Sequence, residues 1–101
     1  MTPPPESVRF TTFDPAGTPI VLAEERWTHI AQGHPEIVEI EHELIDAVRE
    51  PDVRREGRTA GEVWCYRRLP ESSRAPWLKV VVRYGEEGGW IVTAFLRRRM
   101  P

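Results

Sequence analysis

At Pro51 the spacing of apolar residues changes, and nothing else in the chain constrains its fold as much. Before that proline, Ile37, Ile40, Leu44 and Val48 recur every three or four residues, the period of a helix with one apolar face. After it, "EVWCYRRL" (62–69), "WLKVVVRY" (77–84) and "GWIVTAFLRR" (89–98) alternate with a period of two, as strands do. "VRREGRT" (53–59) is a weaker strand of the same kind. The connections "AG", "PESSRAP" (70–76) and "GEEGG" (85–89) are short and rich in turn residues, which predicts an antiparallel meander. Helices first and strands afterwards predict an α+β domain. The expected architecture is two helices packed on a four-stranded antiparallel β-meander, preceded by a short N-terminal β-hairpin.

That hairpin is read from "VRFTTF" (8–13) and "TPIVLA" (18–23) around the turn "DPAG". The first helix is "AEERWTHIAQG" (23–33), in which Ala23, Trp27 and Ile30 share a face and Gly33 ends the run. Pro35 suits the first turn of the second helix, which Pro51 terminates. At 101 residues the chain is expected to be one domain over 1–101, with residues 1–7 a flexible tail.

The strand period also sorts side chains by face. With "GEEGG" as a five-residue loop, Tyr84 faces Trp90, Val82 pairs with Val92, Val80 with Ala94 and Leu78 with Leu96, all toward the helices. Val63, Cys65 and Leu69 join them. The second face then collects Trp64, Tyr66, Arg68, Lys79, Val81, Arg83, Ile91, Thr93, Phe95 and Arg97. Cations interleaved with aromatic rings suit a single-stranded nucleic acid, which offers phosphates and bases together. A solvated face with arginine stems over apolar neighbours has the same composition, and so does a face covered by the hairpin or by a second subunit.

Charge follows this division. Residues 1–51 hold three arginines against ten acids, a balance of −7, whereas residues 52–101 hold ten arginines and Lys79 against six acids, a balance of +5. The acids of the second helix, Glu39, Glu41, Glu43 and Asp46, form either an interface or a solvated face. No apolar run reaches bilayer length and "MTPPPESV" has no signal-peptide pattern, so the expectation is a cytoplasmic protein without membrane association. Cys65 reads as a small core residue.

The stretch "HIAQGHPEI" (29–37) is the candidate site. His29 falls away from the Trp27/Ile30 face, and His34 is fixed between a helix-stopping glycine and a proline that restricts its backbone. A histidine held there either presents a ring nitrogen to a substrate or caps a helix; His42 reads as an exposed helix residue. A metal site from His29, His34 and Glu36 matches no spacing with a mechanism behind it, such as HExxH, and no metal or cofactor is expected.

In order, "ERWTHIAQGHPEI", a helix ending "AVREPDV", "VWCYRRL", "WLKVVVRY" and "WIVTAFLRRR" resemble the phage-associated branch of the barnase–EndoU–colicin–RelE-like (BECR-fold) nucleases over roughly residues 20–99. The RelE-like BrnT toxins share part of this order, but their terminal run of functional residues is missing here. The resemblance implies metal-independent RNA cleavage, in a toxin of a toxin–antitoxin or phage-associated system. Such cleavage needs a base for the 2′-hydroxyl, an acid for the leaving 5′-oxygen and cations for the phosphorane, giving a 2′,3′-cyclic phosphate. The catalytic set expected is His34, His29, Arg83, Thr93 and Tyr66, with Lys79, Arg68, Arg97 and Trp64 binding substrate. Expected partners are RNA, free or on the ribosome, an antitoxin protein and a second copy of the chain. The alternative is a non-catalytic RNA-binding or protein-interaction module using the same basic and aromatic face.

Overall fold

The apolar periods produce the expected classes of element. In the computed structural model, residues 7–70, 75–99 and 101 are described. The strands are β1 (Val8–Phe13), β2 (Pro19–Ala23), β3 (Val53–Glu56), β4 (Glu62–Arg68), β5 (Trp77–Gly85) and β6 (Gly88–Arg97). Between β2 and β3 come helix α1 (Glu24–Gly33), a 3-10 segment (Pro35–Ile40) and helix α2 (Glu41–Arg49). Pro35 begins a 3-10 turn rather than the α-helix the sequence suggested, and α2 starts six residues later. Residues 1–6 of the expected tail (1–7) and the middle of the 70–76 connection (residues 71–74) lie outside the described residues, whereas the Ser7 carbonyl accepts from the Glu24 N–H at 2.8 Å.

The fold is α+β, but the sheet has six strands and is mixed, in the order β1-β2-β6-β5-β4-β3. The four-stranded meander is present as β3 to β6. What the sequence reading missed is that the N-terminal hairpin joins it, through a parallel pairing of β2 with β6 at Ile20–Gly89 and Val21–Trp90. Glycine makes this approach possible: a Cβ at Gly89 would stand 2.7 Å from Ile20 Cδ1 and 3.0 Å from the Arg83 carbonyl oxygen. The hairpin therefore extends the sheet and does not cover its second face.

Two further corrections concern the last hairpin. Its turn is Glu86–Glu87, with Gly85 paired to Gly88, so Tyr84 faces Gly89 and Arg83 faces Trp90. A β-bulge then inserts Val92 between the Val82–Ile91 and Val81–Thr93 pairs, restoring the expected Val80–Ala94 and Leu78–Leu96 register. Ile91 consequently belongs to the core, 1 % exposed, and Val92 does not pair with Val82.

The core lies between the helices and one sheet face, built from Ile20, Leu22, Trp27, Ile30, Ile37, Leu44, Val48, Leu78, Val80, Val82 and Ala94, with Val63, Cys65 and Leu69 beside them. The acids of α2 are used internally. Arg9 of β1 grips Glu41 through Nε (2.6 Å) and Nη2 (2.8 Å), and Arg67 of β4 reaches Glu43 at 3.0 Å. A flat six-stranded sheet would hold its outer strands about 24 Å apart. Here Arg54 of β3 comes within 3.9 Å of Asp14 in the β1–β2 turn, so the sheet curls around the helices. The Tyr84 hydroxyl sits between them, donating to Asp14 Oδ2 (2.7 Å) and accepting from Arg54 Nη2 (2.9 Å).

Candidate functional site

β2 accompanies β6 for only two residue pairs before the chain turns into α1. The helix, rather than another strand, then runs beside the remaining edge of β6. The gap between them is a cleft of about 240 Å³ lined by Arg26, His29, Ile30, Gly33 and His34 from the helix and its corner, and by Val92 and Thr93 from β6. Helical spacing explains the set: positions 26, 29, 30 and 33 form one stripe along α1. Ile30 anchors that stripe in the core at 3 % exposure, while Arg26 and His29 are exposed.

His34 closes the helix with its backbone N–H, which donates to the Ile30 carbonyl at 2.7 Å. Its side chain makes no capping hydrogen bond. Instead the ring packs 5.6 Å from that of Phe95 at a 30° tilt, with Glu36 Oε1 3.6 Å from Nδ1. The corner therefore reaches past the edge strand to a residue of the second face. His42 stands apart on α2, 72 % exposed.

Across the second face the strands align Arg55, Trp64, Val81 and Thr93 in one row, and Val53, Tyr66, Lys79 and Phe95 in the next. Lys79 Nζ lies 3.6 Å from the Trp64 ring centre, 5.7 Å from that of Tyr66 and 5.6 Å from that of Phe95. Desolvation by this setting lowers the ammonium pKa, the like charges of Arg97 and Arg58 lower it further, and Glu62 opposes them. Arg97 lies over Tyr66 at 5.7 Å, with Nη1 3.5 Å from its hydroxyl. Tyr66 is only 2 % exposed, so it supports the two cations from beneath and offers no open ring to a base. Arg68 packs over Trp77 at the same end of the sheet.

Arg83 occupies the opposite end. It faces Trp90, about 10 Å along β6 from Thr93. Its Nη2 is 3.4 Å from Glu62 Oε1, and Glu62 also accepts from Trp64 Nε1 at 2.9 Å and the Arg58 N–H at 3.2 Å. The fold thus brings together His29, His34 and Thr93 of the expected catalytic set, and links them through Phe95 to Lys79, Trp64, Tyr66 and Arg97. It does not bring Arg83 to them. Arg26 and the bridging position of Phe95 escaped the sequence reading. The signal for Arg26 was its place three residues before His29 on a helix.

Two larger depressions, about 490 Å³ beside Pro19, Val21 and residues 85–90 and about 450 Å³ within residues 56–63, contain no histidine. Burial pushes the Cys65 thiol up to about 11, which makes it a poor nucleophile. Among the described residues no group of three or more His, Cys, Asp or Glu is placed to hold a metal ion, and no helix is long and apolar enough to cross a membrane. Compared with family models, curated proteins and solved structures, the chain matches none.

Proposed function

We propose that the chain is a ribonuclease whose cleft between α1 and β6 cleaves RNA without a metal ion, by attack of a 2′-hydroxyl on the adjacent phosphorus. The observation that carries the reading is that His29 and His34 line one cleft together with a cation, Arg26, and a hydroxyl, Thr93. The reaction needs those groups. One imidazole takes the proton from the 2′-hydroxyl as the 2′-oxygen bonds to phosphorus. The other gives a proton to the 5′-oxygen as the P–O5′ bond breaks, leaving a 2′,3′-cyclic phosphate and a 5′-hydroxyl. Histidine suits both roles because it titrates near neutrality. Arg26 stabilises the charge gathered on the phosphorane, and Thr93 hydrogen-bonds a non-bridging oxygen. Glu36, on the Nδ1 side of His34, leaves Nε2 as the nitrogen for proton transfer.

The test is incubation of end-labelled single-stranded RNA in excess chelator, with analysis of the product ends. Fragments ending in cyclic phosphate support the reading; intact RNA, with and without ribosomes, removes it. A toxin role adds that induced expression halts growth and that a partner protein relieves the arrest.

A second reading is favoured by the cations around Lys79, which would hold RNA without cleaving it. Retention of single-stranded RNA with no cleavage under any of these conditions is its signature.

A further inference from the structure

Among the described residues neither Lys79 nor Arg97 forms an ion pair with a carboxylate, whereas Arg9, Arg54, Arg67 and Arg83 all do. The two lie on adjacent strands of the second face, both against Tyr66. Lys79 is also held over Trp64 at 3.6 Å, a separation at which the ring attracts the ammonium and restricts it to one place. Trp64 therefore offers its covered face to a cation, not to a nucleotide base. Phe95 stands between this pair and the cleft, touching Lys79 on one side and His34 on the other.

We infer that Lys79 and Arg97 form a second phosphate site, which takes a backbone phosphate of the same RNA strand next to the one in the cleft, with Phe95 as the partition between them. The inference rests on the ribonucleolytic reading of the cleft for the identity of the chain bound. Trp64 and Phe95 are positioning residues: they fix the ammonium. Glu62 acts on Lys79 only at a distance and offsets part of its repulsion with Arg97, so one phosphodiester bound by both cations relieves the rest. The substrate class follows. In-line attack by a 2′-hydroxyl needs a backbone free to leave A-form geometry, which a single strand can do and a duplex cannot. The enzyme accordingly takes single-stranded RNA long enough to occupy both sites.

The experiment measures binding of a fluorescent, fully 2′-O-methylated RNA octamer, which lacks the attacking hydroxyl. It is followed across salt concentrations for the wild type, Lys79→Met and Arg97→Gln, with a blunt duplex of the same sequence for comparison. Lys79→Met keeps an apolar stem of similar length over the rings, Arg97→Gln removes the charge with a shorter neutral side chain, and circular dichroism checks the fold. The expected result is binding of the single strand in preference to the duplex, weakened several-fold in each variant. The slope of log affinity against log salt should become shallower by about 0.7, the share of one phosphate neutralised on a single strand. Failure of the wild type to bind the octamer, equal binding of the duplex, or an unchanged salt slope in both variants would each overturn the inference. Because the probe cannot be cleaved, the two proposals fail separately. Salt-dependent binding through Lys79 and Arg97 without RNA cleavage would leave the second site standing and remove the ribonuclease. Cleavage with an unchanged slope would do the reverse.

Discussion

The imidazole of His34 and the phenyl ring of Phe95 lie 5.6 Å apart, and through this contact a helix corner meets the far face of the sheet. Helices that cover one face of a sheet ordinarily keep their side chains from the other. Here the early departure of β2 leaves the edge of β6 beside α1, so the corner reaches around it.

Truncating Phe95 should therefore separate the two cationic regions. Phe95→Ala is expected to cost about 1–2 kcal/mol, less than for a fully buried phenylalanine because the residue is only partly buried. RNA cleavage should fall by more than that drop in stability explains, at a temperature where the variant remains folded. Denaturant titration and initial rates on one preparation check this.

Arg26 tests the cleft without disturbing the core, since its side chain is exposed and helix α1 is anchored by Trp27 and Ile30. Arg26→Ala should leave the melting temperature nearly unchanged and lower the cleavage rate about 10²–10³-fold, the size of effect seen when one transition-state donor is removed. Arg83→Ala, which removes a partner of Glu62 at the other end of the sheet, should have a much smaller effect on rate.

Acid should loosen the curl of the sheet. Burial raises the Asp14 pKa, but the Tyr84 hydroxyl, the Thr18 and Ala16 N–H groups and Arg54 outweigh it and hold the carboxylate below its ordinary value. The resulting stability is fully present above the unfolded pKa, near 4, and is lost as pH falls through the lower folded value. Tyr84 behaves oppositely: burial and its bond to Asp14 push its pKa up to about 12. Its contribution is present below about pH 10 and lost as pH rises toward 12. Tyr84→Phe should cost about 1.5–3 kcal/mol at neutral pH and flatten both limbs of the stability profile. Chemical denaturation at a series of pH values measures this.

The parallel pairing of β2 with β6 should depend on glycine at 89. Gly89→Ala would drive a methyl group against Ile20 and the Arg83 carbonyl, and is expected to destabilise the fold by about 1–3 kcal/mol. Weaker amide protection in β1 and β2 than in β4 and β5, seen by hydrogen exchange, would locate the damage.

These particulars show which parts of the molecule a sequence can disclose. Local periodicity revealed both helices, β4 to β6, and the pairs Val80–Ala94 and Leu78–Leu96, because each depends on neighbours close in the chain. The parallel joining of Ile20 to Gly89 left no such mark: it links segments about 70 residues apart with no turn between them. The two-residue turn that pairs Ile91 with Val82 in the core and the bulge at Val92 that follows it were equally silent, since neither changes the composition of an apolar run. Of the candidate site, His29, His34 and Thr93 were legible by residue type; Arg26 was missed, its only mark being its helical spacing from His29. That Arg83 would be occupied by Glu62 depends on a loop conformation that no periodicity encodes.

The most direct test of the central claim is the single-turnover cleavage rate of a labelled single-stranded RNA, in excess chelator, by wild type, His29→Ala, His34→Ala and the double variant. Two histidines serving one reaction as base and acid should each cost several orders of magnitude, with the double variant little worse than the worse single one, because such effects do not add. A rate unaffected by either substitution in folded protein would contradict the account, and the cleft between α1 and β6 would not be a catalytic site.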